Sequence, residues 1–256
     1  MIKDIYTGLK DIGMHYDAIL TGYIHGHESL KATGEICIDV KRKNPNTLWV
    51  LDPVMGDEGQ LYVSKSVIPV YREILKSGKV DVITPNQFEL ELLCDQEIYD
   101  KKSLHSAFRR VHKECNVKHI VVSSLNLTAE ELGFQSDNED SIYCCISSVD
   151  LPYPVIFEVQ KLNSYFTGVG DLFSALLLDR MFKTKGDIIS STNQVLSVMS
   201  KVLFVTRHFA YTNNVGKCVQ GRMGDPTTMK ECELRIVECR EFYSDRDEYF
   251  NPIMIR

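Results

Sequence analysis

The chain has 256 residues, 44% of them apolar and 25% charged, and its formal charge is 29 − 35 = −6. That balance describes a water-soluble globular protein long enough to bury a sizeable core, and it excludes disordered, collagenous and mini-protein classes. A surplus of acid has the wrong sign for a general binder of nucleic-acid phosphates, which gains affinity when Lys and Arg contacts release counterions.

The N-terminal Met1-Ile2-Lys3-Asp4-Ile5-Tyr6 carries charged and polar residues where a secretory signal needs an uninterrupted apolar segment. No apolar run approaches the roughly 18 residues of a membrane span. The best candidate, Ala175 to Leu178, is broken by Asp179 and Arg180. A protein neither exported nor embedded keeps its thiols reduced. Its eight cysteines (Cys37, Cys94, Cys115, Cys144, Cys145, Cys218, Cys232, Cys239) include no C-x-x-C pair and no histidines at zinc spacing. They read as small buried hydrophobes.

Short β-rich runs alternate at least four times with helix-length periodic segments, the pattern of βα units that build a largely parallel sheet. The first strand spans Tyr16 to Thr21. A helix from about Ser29 to Lys43 follows, with Leu30, Thr33, Ile36, Cys37 and Val40 on one face, and Asn44-Pro45-Asn46 ends it. The strand Thr47 to Leu51 runs into Asp52-Pro53. After a Gly-rich loop comes a helix carrying Val67, Ile68, Tyr71, Ile74 and Leu75. The strand Val80 to Ile83 closes on Thr84-Pro85-Asn86, where Asn86 and Glu89 predict a capping box at the head of the next helix. A helix over Ser103 to Cys115 leads into a strand at His119 to Ser123, and Leu125 to Asp140, polar and aperiodic, reads as an exposed loop. Strands at Ile142 to Ser147 and Val155 to Val159 flank the turn Asp150 to Pro154. The chain closes with a helix after Gly170, a long one from about Gln194 to Tyr211, and a short amphipathic end at Met229 to Glu238. No linker divides it.

In an open parallel sheet a ligand sits beyond the carboxyl ends of the strands. Those positions read Thr21-Gly22-Tyr23, Asp52-Pro53-Val54-Met55-Gly56-Asp57, Thr84-Pro85-Asn86-Gln87-Phe88-Glu89 and Ser123-Ser124. Each alone is an ordinary turn former. The most specific segment is Thr167-Gly168-Val169-Gly170-Asp171-Leu172-Phe173, two glycines around a turn that opens into a helix. Glycines let backbone N–H groups approach a ligand closely, and a helix N-terminus adds partial positive charge, so the turn suits a phosphoryl group. Asp171 in the first turn gains from the helix dipole alone. Its functional reading is a base that takes the proton of a substrate hydroxyl. The segment is neither a Walker A loop nor a dinucleotide fingerprint, because Phe173 stands where the latter needs its third glycine.

Taken together, Leu20-Thr21-Gly22-Tyr23, Leu51-Asp52-Pro53-Val54-Met55-Gly56-Asp57, Asp81-Val82-Ile83-Thr84-Pro85-Asn86-Gln87-Phe88-Glu89 and Phe166 to Phe173 resemble pyridoxal kinases of the eukaryotic, fungal branch. The likeness runs in order from about Ile5 to Glu233-Leu234-Arg235-Ile236. It implies a ribokinase-like three-layer α/β fold with a mostly parallel central sheet, and ATP-dependent phosphorylation of the 5′-hydroxymethyl group of pyridoxal, pyridoxine or pyridoxamine. It also implies a cytoplasmic homodimer, present in the nucleus as well in some cases, that needs Mg²⁺ or another divalent cation and K⁺ or Na⁺.

Carried over by position, the resemblance makes Asp171 the base and the amides of Gly168, Val169 and Gly170 the anion hole, with Val169 also on the nucleotide. Asp52 and Asp57 fall beside the ATP phosphates and the divalent ion, where hard oxygen ligands suit a hard cation. Asn86 and Glu89 serve the phosphate and metal region; Thr84 and Ser123, with Ser124, lie on the monovalent-cation and nucleotide side. Leu162, Asn163 and Ser164 match the segment over the adenine. Tyr23 stands near the substrate ring, where an aromatic face packs on a pyridine. His25 and His27 have no third ligand in sequence and read as loop residues.

The family's pattern starts upstream, with a serine-bearing strand, a G-Y-V-G turn and an S-N-H-T-G-Y segment, none of which occurs in this sequence. The expectation is therefore one kinase domain over 1–256, N-terminally truncated relative to the family and lacking the first strand or strands and much of the ring pocket. Two alternatives accompany it: a related hydroxymethylpyrimidine-type kinase, and an inactive nucleotide- or vitamer-binding remnant.

Overall fold

The computed structural model describes residues 1–138, 140–213 and 219–256. Glu139, in the segment read as a loop, and Cys218 lie outside the described residues. The chain forms two compact units: Met1–Asp137 with Tyr143–Ile156 and Ile253–Arg256, and Asn138–Ile142 with Phe157–Pro252.

The first unit opens with helix α1 (Ile2–Asp11) and strand β1 (Ala18–Thr21), then α2 (His27–Lys43), β2 (Leu48–Leu51), the short strands β3 (Gly56–Asp57) and β4 (Gln60–Leu61), α3 (Val67–Lys76), β5 (Val82–Ile83), α4 (Gln87–Cys94), α5 (Lys101–Cys115), β6 (His119–Leu125) and α6 (Ala129–Leu132). Strands β7 (Ser141–Ser148), β8 (Val155–Gln160) and β9 (Ile253–Met254) complete a sheet ordered β1-β2-β5-β6-β7-β8-β9. The pairs β1/β2, β2/β5 and β5/β6 are parallel, whereas β7 runs antiparallel to β6 and β9 to β8. Parallel strands covered on both faces are apolar throughout. Trp49, Val50, Val82, Ile83, Ile120, Val121 and Val122 are all fully buried.

One buried cation organises the lower end of this sheet. Lys41, at the end of α2, donates from Nζ to Pro45 O (3.1 Å), Thr47 O (2.7 Å) and Asp81 Oδ2 (2.7 Å). Asp81 Oδ2 also accepts Trp49 N at 2.8 Å. All three ammonium donors are thus used where α2, β2 and β5 meet, which is how a buried charge becomes tolerable.

The second unit contains α7 (Val169–Lys183), α8 (Ile188–Asn213), α9 (Pro226–Glu231) and a 3₁₀ turn at Arg240–Ser244. By length and composition alone, α8 could cross a membrane over Ile188–Tyr211. It packs instead on α7, with Val195, Val198 and Val202 buried, and it also buries Ser191, Thr192, Asn193 and Ser197. The polar stripe receives the C-terminal segment: Asn193 Nδ2 donates to Phe250 O at 2.7 Å and Tyr249 N donates to Ser197 Oγ at 2.9 Å. Fully buried Arg180 donates to the carbonyls of Tyr243 (2.7 Å) and Asp245 (2.8 Å).

The observed elements depart from the sequence reading in a few places. Residues 2–11, read only for the lack of a signal, form α1, which is held on α2 by Tyr6 Oη donating to Asp39 (2.7 Å) and by the Lys3–Glu35 ion pair. The Gly-rich loop contains the β3–β4 hairpin. Leu125 to Asp140 is not simply exposed: Leu125, Leu127 and Leu132 are buried, and Thr128 and Glu131 form a capping box on α6. Polar spacing hid a single helical turn anchored by widely separated leucines. The long helix begins at Ile188, six residues before the expected Gln194, and the C-terminal one ends at Glu231. The described cysteines are free, and burial pushes the Cys37 and Cys94 thiols up to about 12.

Candidate active site

The four strand-end segments of the first unit are joined edge to edge. Asp52 N donates to Thr21 O (2.8 Å), Thr84 N to Leu51 O (3.2 Å), and Ser123 N to Pro85 O (2.9 Å). These bonds carry the parallel ladder one step past the strands, so Thr21, Asp52, Thr84 and Ser123 line up across four neighbouring chains. The β6/β7 register breaks between Val122 and Leu125, which places an irregularity at Ser123-Ser124. Irregularities of this kind re-aim side chains at strand ends.

Asp52 and Thr84 are buried, each 4% exposed. The Thr84 Oγ1 atom has no hydrogen-bond partner. Glu89, 5% exposed, accepts Met55 N (2.8 Å) and Gly56 N (3.4 Å) on Oε1 and Asn86 N (2.9 Å) on Oε2. Asn86 accepts Glu89 N at 2.8 Å and donates from Nδ2 to Gly56 O, also at 2.8 Å. The predicted capping box is present, and both of its side chains also grip the start of the β3–β4 hairpin. Burial raises the Glu89 pKa to about 7 against the lowering effect of its three backbone donors, and the Asp57 carboxylate adds to the rise. Asp57 is itself raised, chiefly by burial. Burial that disfavours the ionised form of both carboxylates favours a cation nearby.

Among the described residues no three His, Cys, Asp or Glu side chains converge into a metal cage. The oxygen donors Asp52 and Asp57 nevertheless fit Mg²⁺, which is held by one or two carboxylates together with substrate phosphates. Thr84 Oγ1, buried and unpartnered, is a fitting ligand for a cation. His25 and His27 pair with Tyr23 Oη (3.3 Å) and Glu28 (3.0 Å). Tyr23 is half exposed on the loop after β1.

In the second unit Gly168 is the N-cap of α7 at φ +91° and supplies no side-chain cap. Only glycine adopts that backbone without strain, and the first amides of the helix are left facing outward. Asp171 is exposed in the first turn, its carbonyl accepting Ser174 Oγ at 3.2 Å. The strand-like segment before the turn is pinned by Thr167 N to Cys232 O (3.3 Å) and Leu234 N to Thr167 O (3.4 Å). Leu162, Asn163 and Ser164 precede it, and Ser164 Oγ accepts Gly221 N at 2.8 Å. The Gly221 backbone also bonds Tyr165 N, and a Cβ there would lie 2.0 Å from Tyr165 O. Sequence reasoning missed Gly221, since one glycine in an aperiodic stretch carries no local signal.

Residues 4–191 match the phosphomethylpyrimidine kinase family profile. The chain is 42% identical over 251 residues to BUD16 of Saccharomyces cerevisiae, itself named only provisionally as a pyridoxal kinase, covering 94% of this chain and 76% of BUD16. It is 30% identical over 254 residues to the pyridoxal kinase of Ovis aries, again covering 94% and 76%. The crystal structure of Plasmodium falciparum PdxK with AMP-PNP and PL superposes with a TM-score of 0.78 at 25% identity, over 100% of this chain and 81% of that one. A family profile spanning most of the chain, together with relatives matched over three-quarters of their length, places this chain in the pyridoxal kinase family, with its ribokinase-like fold.

Proposed function

We propose that the chain, as one catalytic domain, transfers the γ-phosphoryl group of ATP to the 5′-hydroxymethyl oxygen of pyridoxal, pyridoxine or pyridoxamine. The observation that carries this reading is the turn at Gly168–Gly170. It offers uncapped helix amides to an anion and sets an exposed carboxylate, Asp171, one residue further on. In that role Asp171 accepts the hydroxyl proton as the oxygen attacks phosphorus, and the Gly168, Val169 and Gly170 amides hold charge on the phosphoryl oxygens. Leu162, Asn163 and Ser164 serve the adenine, and Tyr23 packs on the pyridine.

In the first unit, Asp52 and Asp57 are the carboxylates for a divalent ion, Thr84 a ligand for K⁺ or Na⁺, and Ser123 and Ser124 polar groups for nucleotide. A bound Mg²⁺ would neutralise phosphate charge there. Asn86 and Glu89 act chiefly by fixing the backbone at Met55 and Gly56, because their side chains are already engaged there. This reading includes a homodimer, to be checked by light scattering.

The test is ATP-dependent formation of pyridoxal 5′-phosphate by the purified chain beside Asp171→Asn. Loss of a general base lowers turnover about 100-fold or more, with nucleotide binding retained. Equal turnover in both proteins refutes the assignment of Asp171. The family profile favours one second reading, a hydroxymethylpyrimidine kinase. Competition between hydroxymethylpyrimidine and pyridoxal for turnover separates the two.

A further inference from the structure

The segment that delivers the chain to the anion turn is held by side chains as well as by backbone. Gly221 N donates to Ser164 Oγ at 2.8 Å and Tyr165 N donates to Gly221 O at 3.0 Å, so residues 164–165 grip one glycine by both its polar groups. Ser164 Oγ also lies 3.6 Å from Cys232 Sγ, and that thiol donates to Val219 O at 3.9 Å. Cys232, 1% exposed, accepts Thr167 N on its own carbonyl at 3.3 Å. Thr167 directly precedes Gly168, the positive-φ N-cap of α7.

These contacts share one consistent placement of protons. Ser164 accepts from the Gly221 N–H, its own O–H points at the Cys232 sulfur, and the Cys232 S–H points at the Val219 carbonyl. The Ser164 hydroxyl is then engaged within the protein, with no hydrogen left to donate to a ligand. Thr228 closes the excursion between residues 221 and 232: its Oγ1 accepts Arg222 N (3.0 Å) and its carbonyl accepts Cys232 N (3.1 Å). No side chain fits at residue 221, where a Cβ would lie 2.0 Å from Tyr165 O and 3.1 Å from Cys232 Cβ. A turn that holds phosphate by backbone N–H groups binds best when it is ordered beforehand, because ordering it at the moment of binding subtracts from affinity.

We propose that Ser164 is a positioning residue for the phosphoryl-binding turn, its hydroxyl clasping Gly221 and Cys232 and so fixing the backbone that presents the Gly168, Val169 and Gly170 amides to an anion. This deepens the kinase reading above and rests on it for the identity of the ligand. Within the segment assigned to the adenine, the Ser164 hydroxyl touches neither base nor phosphate; it acts through Thr167 and Gly168.

The experiment is calorimetric titration of the intact chain, Ser164→Ala and Ser164→Thr with Mg²⁺·AMP-PNP and with Mg²⁺·tripolyphosphate, which carries the phosphates without an adenine. Melting temperatures are measured alongside. The expected result is that Ser164→Ala binds both probes about three- to tenfold more weakly, and that Ser164→Thr, which keeps the hydroxyl, restores both. A loss confined to AMP-PNP overturns the proposal and makes Ser164 an adenine contact. Unchanged affinities overturn it whatever the melting temperature, as does a Ser164→Thr that melts like the parent and binds like Ser164→Ala. An intact chain that binds both probes but forms no pyridoxal 5′-phosphate refutes the kinase reading, while the titrations still decide the role of Ser164. One that binds AMP-PNP without tripolyphosphate overturns the proposal alone, and one that binds neither overturns both.

Discussion

Glu89 Oε1 accepts the backbone N–H of Met55 at 2.8 Å, so a side chain in the first turn of α4 fixes the backbone that enters the β3–β4 hairpin. Local capping and a contact more than 30 residues away in sequence depend on the same carboxylate. Residues that look like ordinary helix caps therefore reach into the candidate site.

Asn86→Ala tests this coupling. The substitution removes the acceptor for Glu89 N and the donor to Gly56 O, and loss of an N-cap costs about 1 to 2 kcal/mol. Denaturant unfolding should show that loss, and the KM for ATP should rise several-fold because the hairpin is no longer tethered. A stability change with an unaltered KM would confine Asn86 to capping.

Gly56→Ala should be more severe for activity than for folding. A Cβ at this position would lie 2.1 Å from Gln60 O, so the hairpin cannot close in its present form. Because β3 and β4 are two residues each and pair only with one another, the damage should stay local. We expect turnover reduced at least tenfold and nearly normal far-UV circular dichroism.

Lys41→Met addresses the opposite end of the sheet. Removing the ammonium takes a donor from the Pro45 and Thr47 carbonyls and leaves Asp81 the N–H of Trp49, and with Asp81 32% exposed the loss is on the order of 1 to 3 kcal/mol. The prediction is a lower urea midpoint with the KM for ATP unchanged in the fraction that remains folded.

His119 supplies a pH dependence. It is 3% exposed, and burial, then the nearby Lys118 and His112 charges, lower its pKa to about 4, against a raising contribution from Asp150. The ordinary value is about 6.5, so below that pH the unfolded chain takes up a proton that the native state refuses. Stability is complete above pH about 6.5 and falls as the pH drops toward 4, by about 3 kcal/mol from this residue. Unfolding titrations of the parent chain and of His119→Gln should diverge in this window, the variant being the less pH-sensitive. Parallel curves would show that another group sets the acid limb.

The parallel sheet, the cap at Asn86 and Glu89, and the glycine turn before Asp171 were legible in the linear order. Each rests on neighbours a few residues apart: period-2 and period-3.6 apolar spacing, a capping box, and glycines where a helix begins. Tertiary structure alone decided what joins distant segments. The ladder bonds that align Asp52, Thr84 and Ser123, the grip of Glu89 on Met55, the Lys41–Asp81 pair and the approach of Gly221 to Tyr165 have no local signature. A hydrogen bond or charge across 30 to 60 residues is fixed by how strands order themselves in a sheet, and the sequence window that reveals a helix is too short to contain both partners.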